Sequence, residues 1–327
     1  MTSPDIVVLP ANQPRDRFYD GGARIAAFRG DPPAPDHTPE DWVGSTTQVR
    51  GQEPTGLTTL PSGELLADAV AADPVGWLGT AHVERYGADT KLLVKLLDAG
   101  QRLPVHTHPS GAFAAAHLGA AHGKAEAWYV LEPGTVHLGL REPVAPEQLL
   151  SWAESQSPEL LAHLNAFEVA AHDCVFVPPG TLHAIGTGML IAEVQEPEDL
   201  SILLEWRGFD LDGPRDGHLG LGFETAIEAV DADAVPPASL EALVTRGVRQ
   251  GPVLPASAAG FFRLDRVTSS ASFDAGFAVV IVVVDGLVLD GAAPRELRAG
   301  TTLVVPAAHG ELRFSGEGDA LVARPPL

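Results

Sequence analysis

Three short stretches carry residues whose types and spacing suit a metal ion. His106-Thr107-His108 sets two imidazoles two residues apart. On an extended strand such residues share a face, so both rings aim at one point. Glu126 opens an apolar stretch, residues 126–131 (EAWYVL), and can add a carboxylate. Pro178-Pro179-Gly180-Thr181-Leu182-His183 places a third imidazole just after a tight turn. Three histidines and one glutamate make a nitrogen and oxygen donor set. It suits Zn2+, with Mn2+, Fe2+, Co2+ or Ni2+ as alternatives, and leaves coordination positions for water or a substrate's oxygens. The remaining histidines, His117, His122, His137 and His172 among them, read singly as surface or satisfied core residues.

Short strands are expected to hold these residues. Apolar runs at 5–9, 24–28, 126–131, 136–140, 167–170, 174–177, 189–195 and 200–206 read as strands, with 126–131 and 136–140 paired around Glu132-Pro133-Gly134. Residues 91–97 (KLLVKLL) suit a buried strand or a helix. Residues 63–72 read as a short helix, and 146–164 form the clearest helical region, with Pro146 and Pro158 at first-turn positions. From about 211 to 250 loop and short helix alternate. Strands then resume through 260–327, and the run Phe277–Val284 (FAVVIVVV) is too short to span a bilayer and reads as a core strand ending at Asp285-Gly286. Phe176-Val177-Pro178 and Val304-Val305-Pro306 are similar strand ends, which suggests two sandwich units of related build.

Composition narrows the partners. The chain has 327 residues, 45% of them hydrophobic, and a net charge of −22. That is long enough for a sizeable core. A strongly anionic surface repels nucleic acid and anionic lipid, and an anionic substrate needs a locally basic pocket. The single cysteine, Cys174, excludes an internal disulfide and a thiolate metal cage, and reads as an inert core residue. The opening residues lack the pattern of a secretory signal, so a cytoplasmic protein is expected.

The order H-x-H, strand-initial glutamate, then P-x-G-x-x-H resembles the signature of the cupin β-barrel. The details are similar to class I mannose-6-phosphate isomerases. Gly123-Lys124-Ala125-Glu126-Ala127-Trp128 resembles that family's G-K-x-E-x-W motif, and Val177 to Ala184 its V-P-x-G-x-x-H-A motif. Ala192-Glu193-Val194-Gln195 resembles its L-E-I-Q strand. Gly21-Gly22 and Glu40-Asp41-Trp42-Val43-Gly44-Ser45 resemble its G-G and E-x-W-x-x-S elements. The resemblance implies a mainly β, cupin (jelly-roll β-barrel) fold with helical insertions and a second, smaller C-terminal cupin-like β domain. The expected division is a metal-binding unit over 1–247, with the helical insertion at about 146–164, and a small unit over 248–327. It implies zinc-dependent interconversion of mannose 6-phosphate and fructose 6-phosphate through a cis-enediolate, by a monomer or homodimer. By motif the metal ligands are His106, His108, Glu126 and His183. Lys124, two residues before Glu126, faces the same cavity and is the candidate acid/base or oxyanion-stabilising group.

Two departures set the alternatives. The family has glutamine where His106 stands, and a third imidazole shifts metal preference toward iron, manganese or nickel. The family also carries an arginine that helps catalysis and phosphate binding where this chain has Leu203. Alternation puts Ser201, Leu203, Glu205 and Arg207 on one face, so Arg207 is the candidate replacement. The alternatives are an isomerase of a non-phosphorylated sugar, an Fe(II)-dependent cupin dioxygenase, and a sugar-binding cupin without catalysis.

Overall fold

The computed structural model describes residues 4–291 and 293–327. Strands β1 (Val7–Leu9), β2 (Glu40–Val43), β3 (Leu93–Asp98), β4 (His106–Thr107), β5 (Glu126–Glu132) and β6 (Gly134–Leu140) are followed by β7 (Leu164–Val169), β8 (Cys174–Val177), β9 (His183–Ile185), β10 (Leu190–Gln195), β11 (Ile202–Leu203) and β12 (Val244–Thr245). All but β1 form two antiparallel sheets, in the orders β12-β8-β5-β10-β3-β2 and β11-β4-β9-β6-β7. Period-two alternation sends Leu97, Trp128, Val130, Val175 and Ile191 of the first sheet against Val136, Leu138 and Ile185 of the second. This is the expected cupin-type architecture, built as two open facing sheets rather than a closed ring.

The C-terminal part repeats the plan with β13 (Gly251–Pro252), β14 (Arg263–Val267), β15 (Ala271–Phe273), β16 (Ala278–Val284), β17 (Leu287–Leu289), β18 (Arg295–Glu296), β19 (Thr302–Val305), β20 (Leu312–Gly316) and β21 (Asp319–Arg324). Its sheets run β1-β19-β16-β21-β14-β13 and β15-β20-β17-β18. Val280 and Val282 of β16 face Leu287, Leu312 and Phe314 of the smaller sheet. Val279 and Ile281 face the outer side of the metal-site sandwich, against Val94, Tyr129 and Ala192. Four sheets therefore stack in succession. Burial on both faces explains why β16 reads as an unbroken apolar run.

The helices Pro146–Ser155 and Glu159–Ala162 cover the outer face of the β11-to-β7 sheet, with Leu149, Ala153 and Leu160 packed on Leu164, Ala184 and Ile202. At the edge of the larger C-terminal sheet, in the middle of the stack, β1 pairs with β19, Val7 opposite Val304 and Leu9 opposite Thr302. Arg29 binds this joint together: it donates to Asp41 Oδ2 and Thr302 Oγ1, both at 2.9 Å, and to the Leu9 carbonyl at 2.7 Å.

Three expectations change. Residues 24–28 lie in a helix, Ala23–Arg29, closed by left-handed Gly30, whose N–H reaches the Ala26 and Ala27 carbonyls. Strands β5 and β6 both exist but do not pair; the chain turns the sandwich's corner between them, so they sit in opposite sheets. The strand expected over 200–206 stops after Leu203.

Candidate metal centre

Strand register assembles the cluster. In β4 and β9, His106 lies directly opposite His183, and their ring centroids are 4.0 Å apart. His108 follows two residues on, 5.0 Å from His106 and 4.9 Å from His183 between centroids. The loops are tied by main chain: Gly180 N–H donates to the His108 carbonyl at 2.7 Å, and left-handed Gly180 (φ +88°) accepts from Asp231 N–H. Gly123 has its own reason. A Cβ there would meet Gly111 N at 2.5 Å and Pro109 O at 2.6 Å, so only glycine lets the chain pass before Lys124.

Each imidazole is oriented in the same way. Nδ1 of His106 lies 2.8 Å from the Pro104 carbonyl, that of His108 2.7 Å from the Leu200 carbonyl, and that of His183 2.8 Å from the Thr181 carbonyl. With the proton on Nδ1, every Nε2 presents a lone pair inward. Burial, then Lys124, pushes the His108 pKa down to about 3, and burial together with its neighbouring imidazoles holds His106 well below the ordinary histidine value. His106 and His108 are therefore neutral, as metal-ligating imidazoles are.

Glu126 completes the set. Its Oε2 is 2.9 Å from His108 Nε2, and its Oε1 is 3.3 Å from His183 Nε2. Trp128 Nε1 donates to Oε1 at 2.9 Å. His183 Nε2 is buried without a hydrogen-bond partner among the described residues, and Glu126 Oε2 meets no donor there but the Lys124 ammonium. Lone pairs facing lone pairs at such distances call for a cation between them. The Lys124 ammonium answers in part, lying 2.9 Å from both His108 Nε2 and Glu126 Oε2. Burial lowers the Lys124 pKa, but Glu126 and Glu193 outweigh it and leave it raised, so this lysine stays charged.

Beyond the cluster the cavity wall is a line of alternating basic and acidic side chains: Lys124 is 3.8 Å from Glu193, Glu193 3.8 Å from Lys95, Lys95 4.0 Å from Glu40, and Glu40 3.5 Å from Arg17. Cross-strand register places them, with Glu193 opposite Lys95 between β10 and β3. Burial and nearby Glu126 raise the Glu193 pKa to about 8. Burial opposes ionisation of Glu40, yet Arg17, Lys95 and hydrogen bonds from Trp42 and Tyr19 bring it down to about 2.

Arg207 is not part of this arrangement. Gln156 Oε1 accepts from Trp206 N–H at 2.6 Å and Arg207 N–H at 2.8 Å, which draws the chain toward the helix Pro146–Ser155. Arg207 is exposed and donates to the Ser155 carbonyl at 3.3 Å. Ser201 and Leu203 do line the cavity, as alternation predicts. Arg17, Glu40, Lys95 and Glu193 received no role from the sequence. For Lys95 and Glu193 the available signal was a charge inside an otherwise apolar strand; for Glu40 it was a second E-x-W beside Glu126-Ala127-Trp128.

No protein-family model matches the chain. A mannose-6-phosphate isomerase of Streptococcus mutans serotype c is 27% identical over 324 residues, covering 94% of each chain. One from Bacillus subtilis is 25% identical over 243 residues, 71% of this chain and 74% of the relative. The chain is a divergent relative of the mannose-6-phosphate isomerases. Solved structures share the fold across its whole length. A variant of phosphomannose isomerase from Salmonella typhimurium superposes with a TM-score of 0.76 at 16% identity, covering 98% of this chain and 100% of that one. The mannose 6-phosphate isomerase from Bacillus subtilis gives 0.69 at 18% identity, covering 98% and 100%. The cluster of this relative is built from His106, His108 and His183, whose donor atoms lie within 4.8 Å of one another.

Proposed function

We propose that the protein is a metal-dependent aldose–ketose isomerase of a phosphorylated sugar, with mannose 6-phosphate and fructose 6-phosphate as the pair. The supporting observation is the cage of inward Nε2 lone pairs and the Glu126 carboxylate beside a charged lysine, in a chain related end to end to such isomerases. His106, His108, Glu126 and His183 would hold the ion, zinc in the first place, with manganese, iron, cobalt or nickel also suited to three nitrogens and an oxygen. When bound, it would polarise the sugar carbonyl and the adjacent hydroxyl.

Lys124 keeps its proton at neutral pH, so its part is on oxygen. It donates a hydrogen bond where negative charge grows during isomerisation. Glu193, 3.8 Å from both Lys124 and Lys95, is the carboxyl placed to carry the proton between neighbouring carbons. The cavity is ≈ 40 Å³, the size of a few waters, so the sugar must displace side chains as it enters. We take residues 1–247 as the catalytic unit and 248–327 as the smaller one, and a reducing, cytoplasmic setting as the one that fits a lone buried cysteine.

The test is a coupled isomerase assay on protein loaded with zinc or manganese. Turnover of mannose 6-phosphate that disappears on chelation, and in His183→Ala, is the expected result. Absence of turnover on any sugar phosphate overturns the proposal, and oxygen uptake by the Fe(II)-loaded protein would move it to the dioxygenases, whose ligand sets also use three histidines and a glutamate.

A further inference from the structure

We infer that Arg17 binds the phosphate-ester end of the substrate, in place of the arginine that the resemblance puts where Leu203 stands. The inference rests on the sugar-phosphate reading above.

The position is built. Arg17 lies between β1 and the helix Ala23–Arg29, and its backbone is clamped to His37 on both sides: Arg17 N–H donates to the His37 carbonyl at 3.1 Å, and His37 Nδ1 meets the Arg17 carbonyl at 2.8 Å. The side chain is 10% exposed and lines the same cavity as His106, Lys124 and Leu203. Its Nε is buried with no hydrogen-bond partner among the described residues.

The neighbouring carboxylates do not use up its donors. Glu40 is 3.5 Å from Nε and Asp199 4.0 Å from Nη2. Glu40 already accepts from Tyr19 Oη and Trp42 Nε1, both at 2.9 Å, and Asp199 accepts from Arg50 N–H at 3.1 Å. Neither carboxylate accepts a hydrogen bond from Arg17 Nε, so the guanidinium keeps its fork of N–H groups for a ligand. A phosphate dianion matches that fork, two oxygens to two nitrogens.

The other arginines nearby are spent. Arg102 makes a two-pronged pair with Glu205 at 2.6 and 2.8 Å, and Arg207 points outward. Arg17 also sits at the far end of the charge line from the histidine cluster. A six-carbon chain with its reacting carbons at the histidines would extend its ester group that way. On a chain of net charge −22, this is where an anionic sugar finds its local positive charge.

The experiment uses full-length, metal-loaded protein as wild type, Arg17→Met, Arg17→Lys and the double variant Arg17→Met with Leu203→Arg. KM and kcat are measured for mannose 6-phosphate and for mannose, and calorimetry follows inorganic phosphate. Arg17→Met is expected to raise KM for the ester about 10–100-fold and to weaken phosphate binding in parallel, the loss of charge-assisted hydrogen bonds. Free mannose should be affected far less, and Leu203→Arg should restore part of the loss. Arg17→Lys keeps a charge beside Glu40 and so keeps the fold, while losing the fork; a KM for the ester raised in this variant alone carries the test where Arg17→Met does not fold. Unchanged KM and phosphate affinity in Arg17→Lys and Arg17→Met overturn the inference, as does an equal loss on both sugars. If the wild type turns over no sugar phosphate but binds phosphate through Arg17, the functional reading falls and the Arg17 site stands. If turnover is normal and Arg17→Met is silent, the reverse holds.

Discussion

Two glutamates on one sheet face are each gripped by an indole two residues further on: Trp128 holds Glu126, and Trp42 holds Glu40. The indole N–H fixes the carboxylate while leaving its other lone pairs for a cation. Trp128→Phe keeps the ring and removes the donor, so metal affinity should fall about 10–100-fold with the fold intact, as read by titration with a competing chelator. Glu40 gives a pH prediction. Its folded pKa of about 2 lies below the ordinary 4.5, so its contribution is full above pH 4.5 and is lost as pH falls toward 2. The contribution is on the order of 3 kcal/mol. Acid unfolding of Glu40→Gln should accordingly show a shallower loss of stability over that window than the wild type. At this scale the gathering of the three histidines with Glu126 was legible because motif spacing encodes it. Arg17 was not, because a loop residue carries no periodicity and its meaning depends on what folds around it.

The elements explain where sequence reasoning failed. Alternation held for Ser201 and Leu203, then ended with β11, and Gln156 turned Arg207 out of the site. A two-residue strand cannot carry a pattern to its seventh position. The helix at 23–29 was hidden for a related reason: five apolar or small residues fit either period, and the left-handed glycine that closes it decides. Strands β5 and β6 looked like a hairpin because sequence shows adjacency and not which sheet receives each strand. The close passage at Gly123 belongs here too. Gly123→Ala pushes a methyl into the Pro109–Gly111 backbone, and should displace Lys124 and weaken metal binding at least tenfold. Circular dichroism unchanged from wild type together with full metal affinity would refute this.

Across the whole molecule, four stacked sheets share three apolar interfaces, and Arg29 stitches the two middle sheets together through Asp41, Thr302 and Leu9. Asp41 is 1% exposed, and burial raises its pKa even with Arg29 beside it. Arg29→Met would leave that carboxylate buried without its cation, at a cost of about 3–5 kcal/mol. The expected signature is a lowered denaturation midpoint with metal stoichiometry unchanged at low denaturant.

The pairing of β1 with β19 sets an order of events at the ribosome. Val7 and Val304 are ladder partners, so β1 leaves the exit tunnel with no sheet to join until β19 has emerged about 300 residues later. Arg17 and the helix Ala23–Arg29 hang from that first strand. The histidine cluster of residues 106–183 and the Arg17 contacts to His37, Glu40 and Asp199 all precede β19 in the chain, so the cavity can gather before β1 is paired. Nascent chains stalled between residues 250 and 302 should already take up metal while β1 is still unpaired.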